Sequence, residues 1–228
     1  MRPALYLVPA PLGEPAAEAL SAAAAETVRS LRDFAVENAR SARAFLGALG
    51  MPCAIRELRI QEIAGDAAAL LAPLRAGRPL GVLSEAGCPA VADPGAALVA
   101  AAHAEGFRVI PLIGPSSLLL ALMGSGLEGQ RFAFCGYLPR EKHTRADRIR
   151  ALERRSRAES ETQIFIETPY RNEALLAALL ECCDAATRLC VAADLTLPTE
   201  EITTRDVAQW RRMQVSIGRR PAVFLLQA

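Results

Sequence analysis

The residues best suited to chemistry fall in four glycine- and proline-bearing segments. They are Pro9-Ala10-Pro11-Leu12-Gly13, the run from Ser84 to Gly95 (SEAGCPAVADPG), Ile113-Gly114-Pro115-Ser116-Ser117, and Thr168-Pro169-Tyr170-Arg171. Each follows a short aliphatic run that reads as a strand. Glycine lets a backbone come close to a ligand, and proline holds a loop rigid. The Ser84–Gly95 run has two glycines, two prolines and a single β-branched residue, Val91. That composition suits a preorganised lining of backbone N–H and C=O groups.

Other chemistries lack their residues. There is no GxxxxGK[ST], and no GxGxxG follows a predicted strand, so neither a triphosphate nor a dinucleotide has its usual cradle. A nucleoside-like ligand remains compatible. No GxSxG elbow is present, and neither His103 nor His143 lies near a Ser or Cys nucleophile in sequence. The six cysteines (53, 88, 135, 182, 183, 190) form no CxxC, which predicts reduced thiols, a cytoplasmic protein and no metal.

Positioning those segments takes strands and helices in alternation. Strands are predicted at 4–8, 33–37, 80–87 and 107–112, with helices over 15–31, 39–50, 66–76 and 95–105 and a short extended piece at 54–60. In the second half, strands are predicted at 131–138, 162–169, 188–195, 200–207 and 221–227. Helices there open at GPSS and cover 140–159, 171–182 and 206–213. The first half therefore reads as a mostly parallel sheet, the second as a mixed one. The expected fold is α/β, with two α/β domains (1–113 and 114–228) and a ligand cleft between them. In open α/β sheets ligands bind beyond the carboxyl ends of strands, where all four segments fall.

Composition agrees with a folded two-domain protein. The 228 residues are 52% hydrophobic and 22% charged, with net charge +1. That excludes a disordered chain and a strongly electrostatic nucleic-acid binder. No apolar run approaches the roughly 20 residues of a membrane span. Lys142 is the only lysine, and alanine is about a fifth of the chain, which a G- and C-rich coding bias explains.

In order along the chain, LYLVPAPLGE, LSEAGCPAVADPGAALV, RVIPLIGPSS, RFAFCGYLPR and IFIETPYR resemble the tetrapyrrole methylase superfamily. The branch most similar methylates a ribose 2′-hydroxyl of small-subunit ribosomal RNA. The resemblance implies S-adenosylmethionine (SAM) as cofactor, a homodimer, and ribosomal RNA or the small subunit as partner. It also assigns residues. Pro9, Ser84, Gly87, Pro89, Val91 and Ala92 match the loops beside the methionine part. Ser116 and Ser117 match a hydroxyl pair reaching the cofactor. Thr168, Pro169, Leu195, Pro221 and Ala222 match strand-end contacts in the second domain.

A ribose hydroxyl is a weak nucleophile, so a carboxylate or an arginine beside it would assist. Glu37, Arg40 and Glu85 are the expected catalytic residues, with Glu167 and Arg171 as further strand-end candidates. The family pattern E-D-T-R is here Glu37-Asn38-Ala39-Arg40, one carboxylate and one hydroxyl fewer. Two rival expectations follow: methylation of a tetrapyrrole or other small molecule, and a SAM-binding homologue without turnover. The 140–157 segment, with eight basic and three acidic residues, is a candidate RNA contact, although no aromatics interleave with its arginines.

Overall fold

The computed structural model describes residues 3–13 and 19–228. The chain divides into two compact units, residues 1–116 and 117–228.

In the first unit, β1 (Ala4–Val8), β2 (Asp33–Val36), β3 (Arg59–Glu62), β4 (Leu80–Leu83) and β5 (Arg108–Pro111) form one sheet in the order β3-β2-β4-β1-β5. Every pairing in it is parallel. The central strands β2 and β4 are buried at every position, as expected where helices cover both faces. Helices α1 (Ala22–Ser30), α2 (Ala39–Ala48), α3 (Ala72–Arg75) and α4 (Ala96–Ala104) connect them. Two apolar clusters form, one around Val28, Phe34 and Leu46, the other around Leu5, Leu74 and Leu98.

Only the part of the expected first helix from residue 19 onward lies within the described residues. The expected helix at 66–76 is instead a 3-10 turn (Ala69–Leu71) running into the single turn of α3, because Pro73 has no N–H to extend an upstream helix. The extended piece expected at 54–60 is a 3-10 turn at Ile55–Glu57 and then β3.

The second unit holds β6 (Phe132–Tyr137), β7 (Thr162–Ile166), β8 (Arg188–Ala193), β9 (Glu201–Asp206) and β10 (Ala222–Gln227), in the order β6-β7-β10-β8-β9. The sheet is mixed: β6 and β7 are parallel, while the other pairs are antiparallel. Helix α5 (Ser117–Ser125) packs on β8, β9 and β10. Helices α6 (Lys142–Glu159) and α7 (Asn172–Cys182) pack on each other, and α8 (Val207–Trp210) is one turn. Phe165 and Phe224 stack in the core, and buried Trp210 donates to the Leu189 carbonyl at 2.8 Å. Among the described residues no helix is long and apolar enough to cross a membrane.

Candidate functional site

Parallel strands deliver the loops after β1, β2, β4 and β5 to one edge of the first sheet. The loop after β1 and the loop after β4 are tied together there. Ala10 donates to the Gly87 carbonyl at 2.8 Å, and Gly87 donates back at 3.0 Å. Pro9, Ser84, Gly87 and Pro89 are buried at this edge, while Val91 and Ala92 are exposed.

The 84–95 loop has an unusual backbone. Gly87, Ala90, Ala92 and Gly95 have φ of 68°, 66°, 66° and 134°. Alanine in this region costs roughly 1–3 kcal/mol and persists only where surroundings impose it. Here Ala90 N–H bonds the Pro94 carbonyl at 3.3 Å, Val91 N–H bonds the Cys88 carbonyl at 3.2 Å, and the Cys88 thiol donates to the Pro115 carbonyl at 3.4 Å. The N–H groups of Ala86, Cys88 and Ala92 have no hydrogen-bond acceptor among the described residues. A close backbone with spare donors fits the polar methionine end of SAM. Gly114 belongs to the same cradle, since a Cβ there would lie 2.7 Å from Pro9 Cγ.

Three carboxylates stand beside this loop. Glu37 follows β2, and its own N–H bonds the Leu83 carbonyl at 2.9 Å. Its Oε2 accepts from the Glu85 N–H at 2.9 Å, and Glu85 Oε1 accepts from the Ser41 hydroxyl at 3.4 Å. The third is Asp93, which lies within the Ser84–Gly95 run but is not among the expected catalytic residues. Burial, then the charge of Glu37, pushes its carboxyl up to about 6. Ser84 opposes that by hydrogen bonding, and the charge of Glu85 adds to it. Its signal in the sequence was its place, nine residues after Ser84 in a loop that folds back on its own start.

Asn38 caps α2, its Oδ1 accepting from Arg40 N at 2.8 Å and Ser41 N at 3.3 Å. Asp and Asn cap equally well. The change from the family's Asp therefore keeps the helix start. Ala39 N–H is held by Glu62 at 2.9 Å. Arg40 is exposed, and its side chain has no hydrogen bond or ion pair among the described residues, so Glu37 and Arg40 are not paired.

A cavity of about 230 Å³ opens beside this cluster, lined by Ala10, Pro11, Ser41, Phe45, Ser84 and Glu85 among others. A larger one, about 450 Å³, lies at the amino ends of β2, β3 and β4. Its carboxylate, Asp33, is already matched to Arg59 and Arg78. The smaller cavity is lined by Ser84, Glu85 and Ala10, of the two tied loops, and is the better candidate.

In the second unit, β10 lies between β7 and β8, so three segments meet at one sheet end. Ala222 pairs with Ala193 and Val223 with Ile166, and Asp194 N–H bonds the Pro221 carbonyl at 3.0 Å. This gathers Thr168, Pro169, Leu195, Pro221 and Ala222. Leu195 and Ala222 are buried. Ser117 begins α5 elsewhere in the chain, and Ser116 closes the first unit. Glu167 is buried, accepting from Thr168 N at 2.8 Å and meeting Arg171 at 2.9 Å.

The two sheets, one parallel and one mixed, with their strand-end loops define an α/β protein. Residues 4–210 match the family model of tetrapyrrole (corrin/porphyrin) methylases. A ribosomal RNA small subunit methyltransferase I of Mesorhizobium japonicum is 36% identical over 205 residues, covering 90% of this chain and 67% of that protein. The protein of the same name from Escherichia coli O157:H7 is 34% identical over 167 residues, covering 73% of this chain and 56% of its own length. Thus the chain matches roughly half to two thirds of these relatives. Among solved structures, uroporphyrin-III-C-methyltransferase of Thermus thermophilus superposes with TM-score 0.58 at 20% identity, covering 100% of this chain and 93% of that one. A cobalt precorrin-4 methyltransferase superposes with TM-score 0.61 at 15% identity, covering 98% and 94%. These two bear on the fold alone. The chain belongs to the tetrapyrrole methylase family, the class III SAM-dependent methyltransferases, and SAM is the cofactor of that class.

Proposed function

We propose that this chain methylates a ribose 2′-hydroxyl of small-subunit ribosomal RNA. The observation carrying the reading is the 84–92 loop, bonded to Ala10 and held at positive φ with spare N–H donors, beside Glu37, Glu85 and Asp93. The names of the relatives supply the acceptor class.

Bound SAM supplies a methyl group activated by a sulfonium. The residues on this sheet edge bind and orient. Pro9, Ser84, Gly87, Pro89, Val91 and Ala92 line the methionine side. Ser116, Ser117, Thr168, Pro169, Leu195, Pro221 and Ala222 complete the cofactor contacts. A carboxylate on this edge would take the proton of the ribose hydroxyl as it is methylated. Glu37, Glu85 and Asp93 are the acceptors on hand. Asp93, raised to about 6, takes up a proton more readily than an unperturbed aspartate while still being largely ionised at neutral pH. Arg40, exposed beside Glu37, faces substrate phosphate.

In the second unit Leu119, Met123 and Phe132 are exposed apolar side chains, which supports a homodimer through this unit. Gel filtration with light scattering tests that. The activity is tested in two steps. Calorimetric titration with SAM and S-adenosylhomocysteine reads cofactor binding. Methyl transfer from labelled SAM is then measured on small-subunit RNA from a strain lacking the gene. Saturable binding followed by label on a ribose oxygen upholds the reading. Label on a tetrapyrrole instead replaces the acceptor, and binding without transfer to either supports a homologue without turnover.

A further inference from the structure

We propose that the strand-end rim of the second sheet is a binding platform for single-stranded RNA, in which bases stack on Tyr170 and Tyr137 and phosphates meet Arg140 and Arg219. This rests on the RNA reading above and adds which surface holds the acceptor.

The topology brings these four residues to one end of the sheet. Tyr137 is the last residue of β6 and lies in register with Ile166, the last residue of β7. Arg140 follows β6, and Tyr170 follows β7. Arg219 precedes β10, whose Val223 pairs with Ile166.

Each aromatic is held there by a local device. The ladder between β6 and β7 shifts register between Phe134 and Tyr137, where Gly136 takes φ 65°. A bulge of this kind re-aims a side chain at a strand end. Tyr170 sits in the 3-10 turn Pro169–Arg171, closed by Arg171 N–H on the Thr168 carbonyl at 2.8 Å. The rings remain 57% (Tyr137) and 66% (Tyr170) exposed. Tyr170 thus presents a large aromatic face on a rigid turn, and bases stack on such faces without sequence preference.

Two arginines at this end are free to meet a polyanion. A third, Arg171, is committed elsewhere: its Nη2 is buried against Glu167 at 2.9 Å. Arg140 and Arg219 are exposed, and their side chains have no hydrogen bond or ion pair among the described residues. The acids nearby are engaged. Asp194 accepts from Thr199, Glu200 from the Thr196 N–H, and Glu201 from Arg220.

The test uses the whole chain with bound S-adenosylhomocysteine and a fluorescein-labelled RNA of about 12 nucleotides, within the span a single-strand groove covers. Tyr170→Ala is expected to weaken binding about tenfold, and Tyr170→Phe to leave it within about twofold, since the ring and not the hydroxyl stacks. An abasic oligonucleotide of the same length should bind Tyr170→Ala and wild type alike. Arg219→Ala should lower the slope of log affinity against log salt by roughly one phosphate contact, about 0.7 for a single strand. Calorimetry with S-adenosylhomocysteine serves as the folding control for every variant. If Tyr170→Ala binds RNA like wild type, the platform is wrong and the RNA reading stands. If wild type binds S-adenosylhomocysteine but no RNA, the RNA reading falls and the platform with it.

Discussion

Ala10 and Gly87 exchange both backbone hydrogen bonds, at 2.8 and 3.0 Å, so the loops after β1 and β4 move as one body. Gly87 does this at φ 68°. A Cβ on it would come no nearer than 3.4 Å to Leu12, which is ordinary contact. Its replacement is therefore limited by backbone conformation, not by space. Gly87→Val should break the two-way bridge, because a β-branched residue at this φ is strained by roughly 1–3 kcal/mol or more. S-adenosylhomocysteine affinity measured by calorimetry should drop at least tenfold while the melting temperature falls only modestly. Unchanged affinity would remove this loop from the cofactor site.

Gly114 makes the converse case, where space decides. An added methyl there would overlap Pro9 Cβ, lie 2.7 Å from Cγ and come within 3.3 Å of Leu20. The proline ring cannot swing aside. Gly114→Ala should push the loop after β5 off the loop after β1, costing about 1–3 kcal/mol in urea unfolding. Cofactor affinity should fall with it. A variant as stable as wild type with intact affinity would show that these loops are not packed as one wall.

Asp93 supplies a pH signature. Its carboxyl, ordinarily near 3.8, is pushed up to about 6 by burial and then by Glu37, with Glu85 adding less. Between these values the folded protein binds a proton that the unfolded chain has released. Stability should therefore decline as pH rises from 4 toward 6. Asp93→Asn removes that decline and should be the more stable protein at pH 7. Urea unfolding of both at pH 4.5 and pH 7 checks the sign. If methyl transfer uses Asp93, the same variant also loses the rate limb that rises near pH 6 in wild type.

The sheet edge was legible in the sequence because parallel strands buried on both faces are continuous apolar runs and end in Gly/Pro loops; ALYLV and LGVL are such runs. The order of the second sheet was not. Nothing in PAVFLLQ says that it inserts between TQIFI and RLCVAA, since that choice rests on long-range register. Asp93 was missed because its shift comes first from burial and then from Glu37, 56 residues earlier in the chain, brought near by the β2–β4 pairing. Asn38 read as a lost carboxylate, whereas its role as a helix cap needed only an oxygen. Tyr137 and Tyr170 lie on different strands' ends, so no linear pattern joins them.

At the opposite edge of the first sheet, Asp33 tests how much the parallel strands depend on a charge. Its side chain is 5% exposed at the start of β2. Arg59 Nε and Nη2 each donate to it at 2.6 Å, and Arg78 adds bonds at 3.2 and 3.4 Å. Burial raises its pKa, but the two guanidiniums overcome that and hold it below 3.8. A depressed carboxylate stabilises the fold above its unfolded pKa, and that stability is lost as pH falls through the folded value. Asp33→Asn should cost about 1.5 kcal/mol at pH 7, the low end for bonds to a charged group, because both arginines are half in water. As pH falls through the folded value the wild-type carboxyl is itself protonated, and the gap between the two proteins should close. Urea unfolding at pH 7 and along a descending pH series measures these gaps. Equal gaps would mean that shape and hydrogen bonding hold β2 to β3, with the charge contributing nothing.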